Sequence, residues 1–218
     1  MSAHAQCIPA LRFGWLTNLY DPLIRWTTRE LAIKGRLLEQ AGIRGGHRVL
    51  DVGCGTATLA LLAKRRCPSA TVVGLDGDAR ILALARAKIA QSAGGVVLTQ
   101  ALSYELPYAA VSFDRVLSSL VFHHLTRESK GKTLHEIFRV LRPGGELHVA
   151  DWGRAQNVPM RLAFLAIQLL DGFEPTADNV RGLLPAMMAE AGFAQVEETA
   201  RYATIVGTLC LYRARKPG

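Results

Sequence analysis

"VLDVGCGTATLALLA" (residues 49–63) decides the fold: an apolar, strand-like run breaks into a glycine turn and resumes as an apolar helix. Such a unit cradles a nucleotide-type cofactor, because glycines let the backbone approach the ligand and a helix start presents unpaired N–H groups. Gly53 and Gly55 supply G-x-G, but three positions beyond Gly55 stands Thr58, where a dinucleotide fingerprint has Gly or Ala. Asp51, two residues before Gly53, brings a carboxylate close to the place where a dinucleotide's pyrophosphate would rest. A fixed negative charge there repels phosphate and attracts a cation. S-adenosylmethionine, with an ammonium, a sulfonium and no phosphate, suits that charge.

Outward from this turn, "HRVLDVG", "TVVGLD", "GVVLTQ", "FDRVLSSLVF" and "GELHVAD" read as strands, and "TLALLAKRRC", "ARILALARAKIAQSAG" and "KTLHEIFRVLRPGG" as helices, the last stopped by Pro143 and Gly144. This alternation predicts an α/β, doubly wound, mainly parallel sheet, with ligands beyond the carboxyl ends of its strands. Residues 20–42 read as amphipathic helix, with Asp21 as N-cap, Pro22 at the first helical position and Gly42 at the end. Past the fifth strand, 159–170 reads as a helix, 171–179 as a polar loop with the length and place of a gate, and 180–192 as a helix. The final stretch forms two strands turning near Gly207, which a short turn makes antiparallel. The expectation is a single domain: a helical cap over 1–43, a cofactor-binding core over 44–152, and a substrate lid with terminal hairpin over 153–218.

Composition is ordinary for a globular chain of 218 residues, 50% hydrophobic and 20% charged. The longest greasy segment, 162–170, is too short to cross a bilayer, and no secretory signal is expected. Cys7, Cys54, Cys67 and Cys210 are far apart and form no C-x-x-C pair, which argues against a zinc site or a disulfide framework and fits a reducing cytoplasm. A net charge of +8 draws a protein towards nucleic acid, anionic lipid or acidic substrates. The basic residues are nevertheless scattered, with small groups at Lys64-Arg65-Arg66 and at Arg213, Arg215 and Lys216, so a solvated surface is the preferred reading.

Asp76 ends the second strand, where a carboxylate accepts from ribose hydroxyls, while Asp78 is the better helix cap. "VLDVGCGTATLALLA", "VVGLDGD", "LPYAAVSFDRVLSSLVFHHL" and "RVLRPGGELHVADW" follow one another between Arg44 and Trp152. In that order they resemble the successive motifs of class I S-adenosylmethionine-dependent methyltransferases, the group that includes quinone-biosynthesis enzymes. The resemblance implies a seven-stranded Rossmann-like sheet whose last strand is antiparallel. It implies that Asp51, Gly53 and Gly55, with Cys54 in the same turn, hold the methionine end, and that Asp76, with Gly77 beside it, holds the ribose. The family's acidic residue that faces the adenine amino group falls here on Leu102, so backbone groups of Leu102 and Ser103 have to replace it. That replacement costs about 1 kcal/mol, and more where a buried donor is stranded.

The fourth strand runs into "SSLVFHHL", which places Ser118, His123 and His124 at the cofactor's mouth. Either histidine is a candidate general base; the alternative is that the pair shapes the loop or touches the cofactor. Tyr20, with Phe13 and Trp15, offers aromatic faces to a sulfonium or else staples the first helix to the sheet. Asp151 and Trp152 either face the substrate or, for the aspartate, cap the following turn. Phe164, Phe173, Met187 and Met188 mark the lid. The stretch at His123 lacks the Asn-Pro-Pro-Tyr type of pattern used on nucleic-acid bases, so no nucleic-acid partner is expected. These features predict methyl transfer to a small hydrophobic acceptor, quinone-like or lipid-like, at carbon or oxygen, with contact at a membrane surface. The competing classes are a nicotinamide-dependent oxidoreductase, opposed by Asp51 and Thr58, and a non-catalytic S-adenosylmethionine-binding partner protein, favoured by Leu102.

Overall fold

Seven strands form one sheet: β1 (Arg48–Val52), β2 (Thr71–Asp76), β3 (Val96–Gln100), β4 (Phe113–Ser119), β5 (Leu141–Trp152), β6 (Ala194–Thr204) and β7 (Gly207–Arg215), in the order β3-β2-β1-β4-β5-β7-β6. The structure is a computed structural model and describes residues 30–92 and 95–218. The neighbours from β3 through β5 are parallel, and β7 runs against both β5 and β6. This is the expected sheet with its antiparallel last strand. Helices α1 (Glu30–Ala41), α2 (Thr58–Arg66), α3 (Ala79–Ala90) and α4 (Arg127–Val140) pack around it, and α5 (Val158–Ala163), α6 (Leu165–Asp171), α7 (Phe173–Arg181) and α8 (Leu184–Glu190) follow β5.

The central strands read as unbroken apolar runs because both faces are covered. Leu50, Val52 and Val116 pack with Leu134, Ile137 and Val140 of α4, while Val49 and Leu117 pack with Leu37 of α1 and Leu59 and Ala63 of α2. The chain leaves β1 towards β2 and β3, then crosses back to β4 and β5 on the other side. The carboxyl ends of β1 and β4 therefore border the switch-point crevice, where such sheets bind ligands.

Several local expectations change. Helix α4 starts at Arg127 rather than at 132, because Thr126 caps it by accepting from Ser129 N–H at 3.2 Å. It ends at Val140, and Pro143 and Gly144 lie within β5, where an irregularity against β4 absorbs them. The residue before a proline is disfavoured in α conformation, which explains the early stop.

Residues 171–179 are not a polar loop, and the gate expected there is replaced by helix α7 with Thr176, Asp178 and Asn179 buried. Those polar residues are largely paired internally: Gln168 donates to Thr176 Oγ1 at 3.1 Å, Arg127 to Asp178 at 2.7 Å, and Asn179 to the Trp152 carbonyl at 2.9 Å, while Asn179 Oδ1 and Gln168 Oε1 have no partner among the described residues. The greasy run 159–170 divides into α5 and α6 at Phe164, and Gly182, at φ +72°, separates α7 from a shortened α8. Tyr20, Phe13, Trp15, Asp21 and Pro22 lie outside the described residues. Among the described residues no helix is long and apolar enough to cross a membrane.

Candidate active site

After Val52 the chain turns at Gly53, whose φ is +69°. The N–H groups of Gly53 and Cys54 both donate to the Leu75 carbonyl, at 2.8 and 2.9 Å, which ties the turn to β2. A Cβ at Gly53 would lie 2.3 Å from Val121 Cγ2, so only glycine fits. Gly55, at φ +53°, faces open space instead. Its N–H donates to Asp76 Oδ2 at 2.9 Å, and Asp78 N–H donates to Oδ1 at 3.0 Å. Asp76 is thus aimed at the turn, and with Gly77 N–H also donating to it, one of its four acceptor positions is left. Asp78 accepts from Arg80 N–H at 2.8 Å and is the helix cap, as the sequence predicts.

The third demand of this turn falls on Ala57 rather than on Thr58. Ala57 is buried at φ 60° and ψ 25°, a left-handed conformation that costs a non-glycine residue about 1–2 kcal/mol, and Thr58 already begins α2. The alternation Gly53, Gly55, Ala57 is the signal that counting to Thr58 missed.

Asp51 and Ser118 are both buried at the carboxyl ends of neighbouring strands, on opposite faces of the pleat. Asp51 Oδ2 and Ser118 Oγ have no hydrogen-bond partner among the described residues. Two orphaned polar atoms beside an open glycine turn fit a ligand that brings its own donors and positive charge. Asp51 is not, however, the permanently ionised group that the sequence suggests. Burial pushes its pKa up to about 7, while the Lys34 charge pulls the other way. It is therefore about half ionised at neutral pH, and an arriving cation favours the ionised form.

Other expected cofactor residues contribute less through their side chains. Cys54 Sγ packs over Gly74, only 3.0 Å from where a Cβ would stand there, and burial pushes its thiol pKa up, so only its backbone belongs to the turn. Gly77 N–H supports the Asp76 carboxylate. Leu102 follows β3 next to Asp76, since Gln100 pairs with Asp76. The Leu102 carbonyl accepts from Glu105 N–H at 3.1 Å, and the Ser103 hydroxyl pairs with Thr133 Oγ1 at 2.9 Å. Those two groups are already engaged within the protein.

On the other side of the crevice, β4 ends in a strained corner. Leu120 has φ 59°, and its N–H donates to the Ala150 carbonyl at 2.8 Å. A short 3₁₀ turn, Phe122–His124, follows. Asp151 organises it by accepting from the N–H groups of Val121 (3.0 Å), Phe122 (2.8 Å) and Trp152 (2.8 Å), from Asn179 Nδ2 (3.2 Å), and from His123 Nδ1 (2.8 Å). Burial alone would raise the Asp151 pKa, but the His123 charge and these donors outweigh it and hold it below the usual carboxylate range. Asp151 is therefore neither substrate-facing nor a turn cap. Trp152 is also buried, edge-on to Phe164 at 5.5 Å between ring centroids.

An ionised carboxylate accepts only, so in the neutral form of His123 the proton sits on Nδ1 and Nε2 carries the lone pair. Nε2 lies 3.6 Å from Asp171 Oδ2, and His124 Nδ1 lies 3.6 Å from Asp171 Oδ1. The two imidazoles are 4.0 Å apart between centroids. Burial first, and the His123 charge second, push the His124 pKa down to about 3, so this ring is neutral at physiological pH. Burial raises Asp171 against the opposing pull of His123. Asp171 is the residue that sequence reasoning missed: it ends α6, and only the packing of α6 and α7 onto the 3₁₀ turn brings it to the histidines.

A glycine turn at the switch point, Asp76 at the end of β2, and the buried Asp51 Oδ2 and Ser118 Oγ, unpaired among the described residues, are the features of this Rossmann-like crevice. A family model described as "Methyltransferase domain" matches residues 49–145. The chain is 30% identical over 181 residues to the ubiquinone/menaquinone biosynthesis C-methyltransferase UbiE of Saccharophagus degradans, covering 73% of this chain and 72% of that one. It is 34% identical over 142 residues to the demethylmenaquinone methyltransferase of Thermus thermophilus, covering 64% of each. A solved structure of a putative methyltransferase from Bacillus halodurans superposes with a TM-score of 0.66 at 21% identity, covering 85% of this chain and 99% of that one. The chain belongs to the class I S-adenosylmethionine-dependent methyltransferase family, and S-adenosylmethionine is its methyl donor.

Proposed function

We propose that this enzyme methylates a small hydrophobic, quinol-like acceptor at carbon, with His123, His124 and Asp171 ionising the acceptor's hydroxyl. When bound, S-adenosylmethionine supplies a methyl carbon already activated by its sulfonium. Asp51, Gly53 and Gly55 hold its methionine end, with Cys54 contributing backbone; Asp76 and Gly77 hold the ribose, Leu102 and Ser103 border the adenine, and Ser118 gives the crevice a hydroxyl.

The observation that carries this reading is the Asp151–His123 bond, which points a lone-pair nitrogen at Asp171 on the acceptor side of the crevice. Removal of a hydroxyl proton puts electron density on the adjacent ring carbon. That carbon then forms the new bond as the carbon–sulfur bond breaks, and the ring proton it carried is lost afterwards. Positioning contributes several kcal/mol and ionisation roughly a further 10²- to 10⁴-fold. The Saccharophagus degradans relative is a ubiquinone/menaquinone biosynthesis C-methyltransferase, which supports carbon as the attacked atom. Exposed Val158, Leu162, Leu169, Leu170 and Phe173, together with the net positive charge, support collection of the acceptor at a membrane surface.

Incubation with methyl-labelled S-adenosylmethionine and separate quinol, phenol and fatty-acyl pools tests this. The expected result is label on a ring carbon of the quinol pool, located by mass spectrometry. Label confined to an oxygen, or to the acyl pool, would overturn it.

A further inference from the structure

We propose that His123 Nε2, His124 Nδ1 and the Asp171 carboxylate hold one divalent transition-metal ion on the acceptor side of the crevice. The inference rests on the proposed function only for where the acceptor sits.

Three observations carry it. The ligand atoms of the three residues lie within 4.8 Å of one another. His123 Nε2 lies 3.6 Å from Asp171 Oδ2 and His124 Nδ1 lies 3.6 Å from Oδ1, one imidazole to each carboxylate oxygen and both too far for hydrogen bonds. These separations are close to the ligand–ligand edge of about 3.4 Å expected when a tetrahedral ion sits about 2.1 Å from each donor. Secondly, the ring that would ligate through Nε2 has its other nitrogen on a buried carboxylate, and that carboxylate is itself held by three backbone N–H groups. This is the outer arrangement that orients a metal-ligating imidazole and sharpens its lone pair. Thirdly, the groups come from two separate elements and are largely shielded from water, with side-chain exposures of 3%, 19% and 14%. In the tautomers that turn a lone pair from each imidazole towards Asp171, the three donors repel one another unless a cation lies between them.

Two imidazoles and one carboxylate select a borderline ion such as zinc, iron(II), cobalt(II) or manganese(II), not magnesium or calcium. Three protein ligands leave at least one position open for the acceptor's oxygen. Coordination there weakens the O–H bond: the oxygen keeps both electrons and binds the ion, and the proton leaves to solvent. The wide spacing of the cysteines argues against thiolate-bound zinc and is silent on this imidazole–carboxylate site.

The test strips the full-length protein of metal with a chelator and titrates cobalt(II), whose visible absorption reports its coordination. The expected result is one equivalent bound, with the intense bands of a low-coordinate ion. Asp171→Asn and His124→Ala should each weaken cobalt binding at least tenfold while leaving the dissociation constant for S-adenosylmethionine unchanged. Metal-stripped enzyme should lose methylation and regain it with cobalt or zinc. Stoichiometric cobalt binding without methylation of quinols would keep the metal site and sink the acceptor assignment. Full turnover by metal-stripped enzyme, or unchanged cobalt binding in the Asp171→Asn, His124→Ala double variant, would overturn the site.

Discussion

Asp151 Oδ1 lies 2.8 Å from His123 Nδ1, and both side chains are buried where β5 meets the 3₁₀ turn. The pair links the strand that carries the sheet's edge hairpin to the 3₁₀ turn after β4, and it decides which nitrogen of the neutral imidazole is left with a lone pair.

Asp151→Asn should expose this. The amide oxygen can still accept from Val121 and Phe122 N–H, but its NH₂ can donate to Nδ1 and force the proton onto Nε2. Turnover should fall on the order of 10²-fold or more, with little change in S-adenosylmethionine affinity. Thermal stability should drop as well, by about 2–4 kcal/mol for a disturbed buried network. Equal loss of donor binding and turnover would show that the residue merely holds the fold. His123→Ala should likewise depress turnover more than donor affinity.

The charge state of Asp51 makes donor binding pH-dependent. Its folded pKa, about 7, lies above its value in the unfolded chain, so between about pH 4 and 7 the ligand-free protein keeps a proton that the unfolded chain has released. Its stability therefore falls as pH rises through that window. A cationic ligand favours the ionised form, so affinity should rise between pH 5 and 7, by up to about tenfold per unit, and flatten above. Calorimetric titration at several pH values measures this, and Asp51→Asn should remove the dependence.

Asp76 has two duties. Asp76→Ala removes the ribose acceptor and strands the N–H groups of Gly55 and Asp78. Donor binding should be lost at any practical concentration, and stability should fall by about 1–3 kcal/mol, or several degrees in Tm. Asp76→Asn, which retains one acceptor oxygen, should recover most of the stability and little of the affinity. Unchanged affinity in either variant would refute the ribose assignment.

Gly53→Ala drives a methyl group into Val121 at 2.3 Å in a left-handed backbone. The expected destabilisation is about 2–4 kcal/mol, from overpacking and backbone strain together. Because Val121 adjoins Phe122 and His123, turnover should fall too. Val121→Ala in the same chain should recover the packing part and not the backbone part, which paired denaturation curves would separate.

The glycine turn, the five parallel strands, the antiparallel finish and the methyl donor were legible in the residues. Each is written in short-range chemistry: apolar runs at strand length, glycines where φ must be positive, and a carboxylate at each of two strand ends. Ala57 was missed because the turn's third demand was sought one residue too late. Residues 171–179 read as a loop because Thr, Asp and Asn are normally solvated, and nothing local announces that Arg127 and Lys130 will pair with Asp178, Gln168 with Thr176, and Asn179 with the Trp152 carbonyl in a helix.

By itself the sequence determined the order of elements and the chemistry of the cofactor crevice, because periodicity and turn requirements act between near neighbours. Only the tertiary structure decided that Asp51 is half-discharged at neutral pH, that Asp151 is an organiser rather than a substrate ligand, and that Asp171 joins the two histidines. Those outcomes depend on burial and on partners that packing selects from distant parts of the chain, which no local pattern encodes.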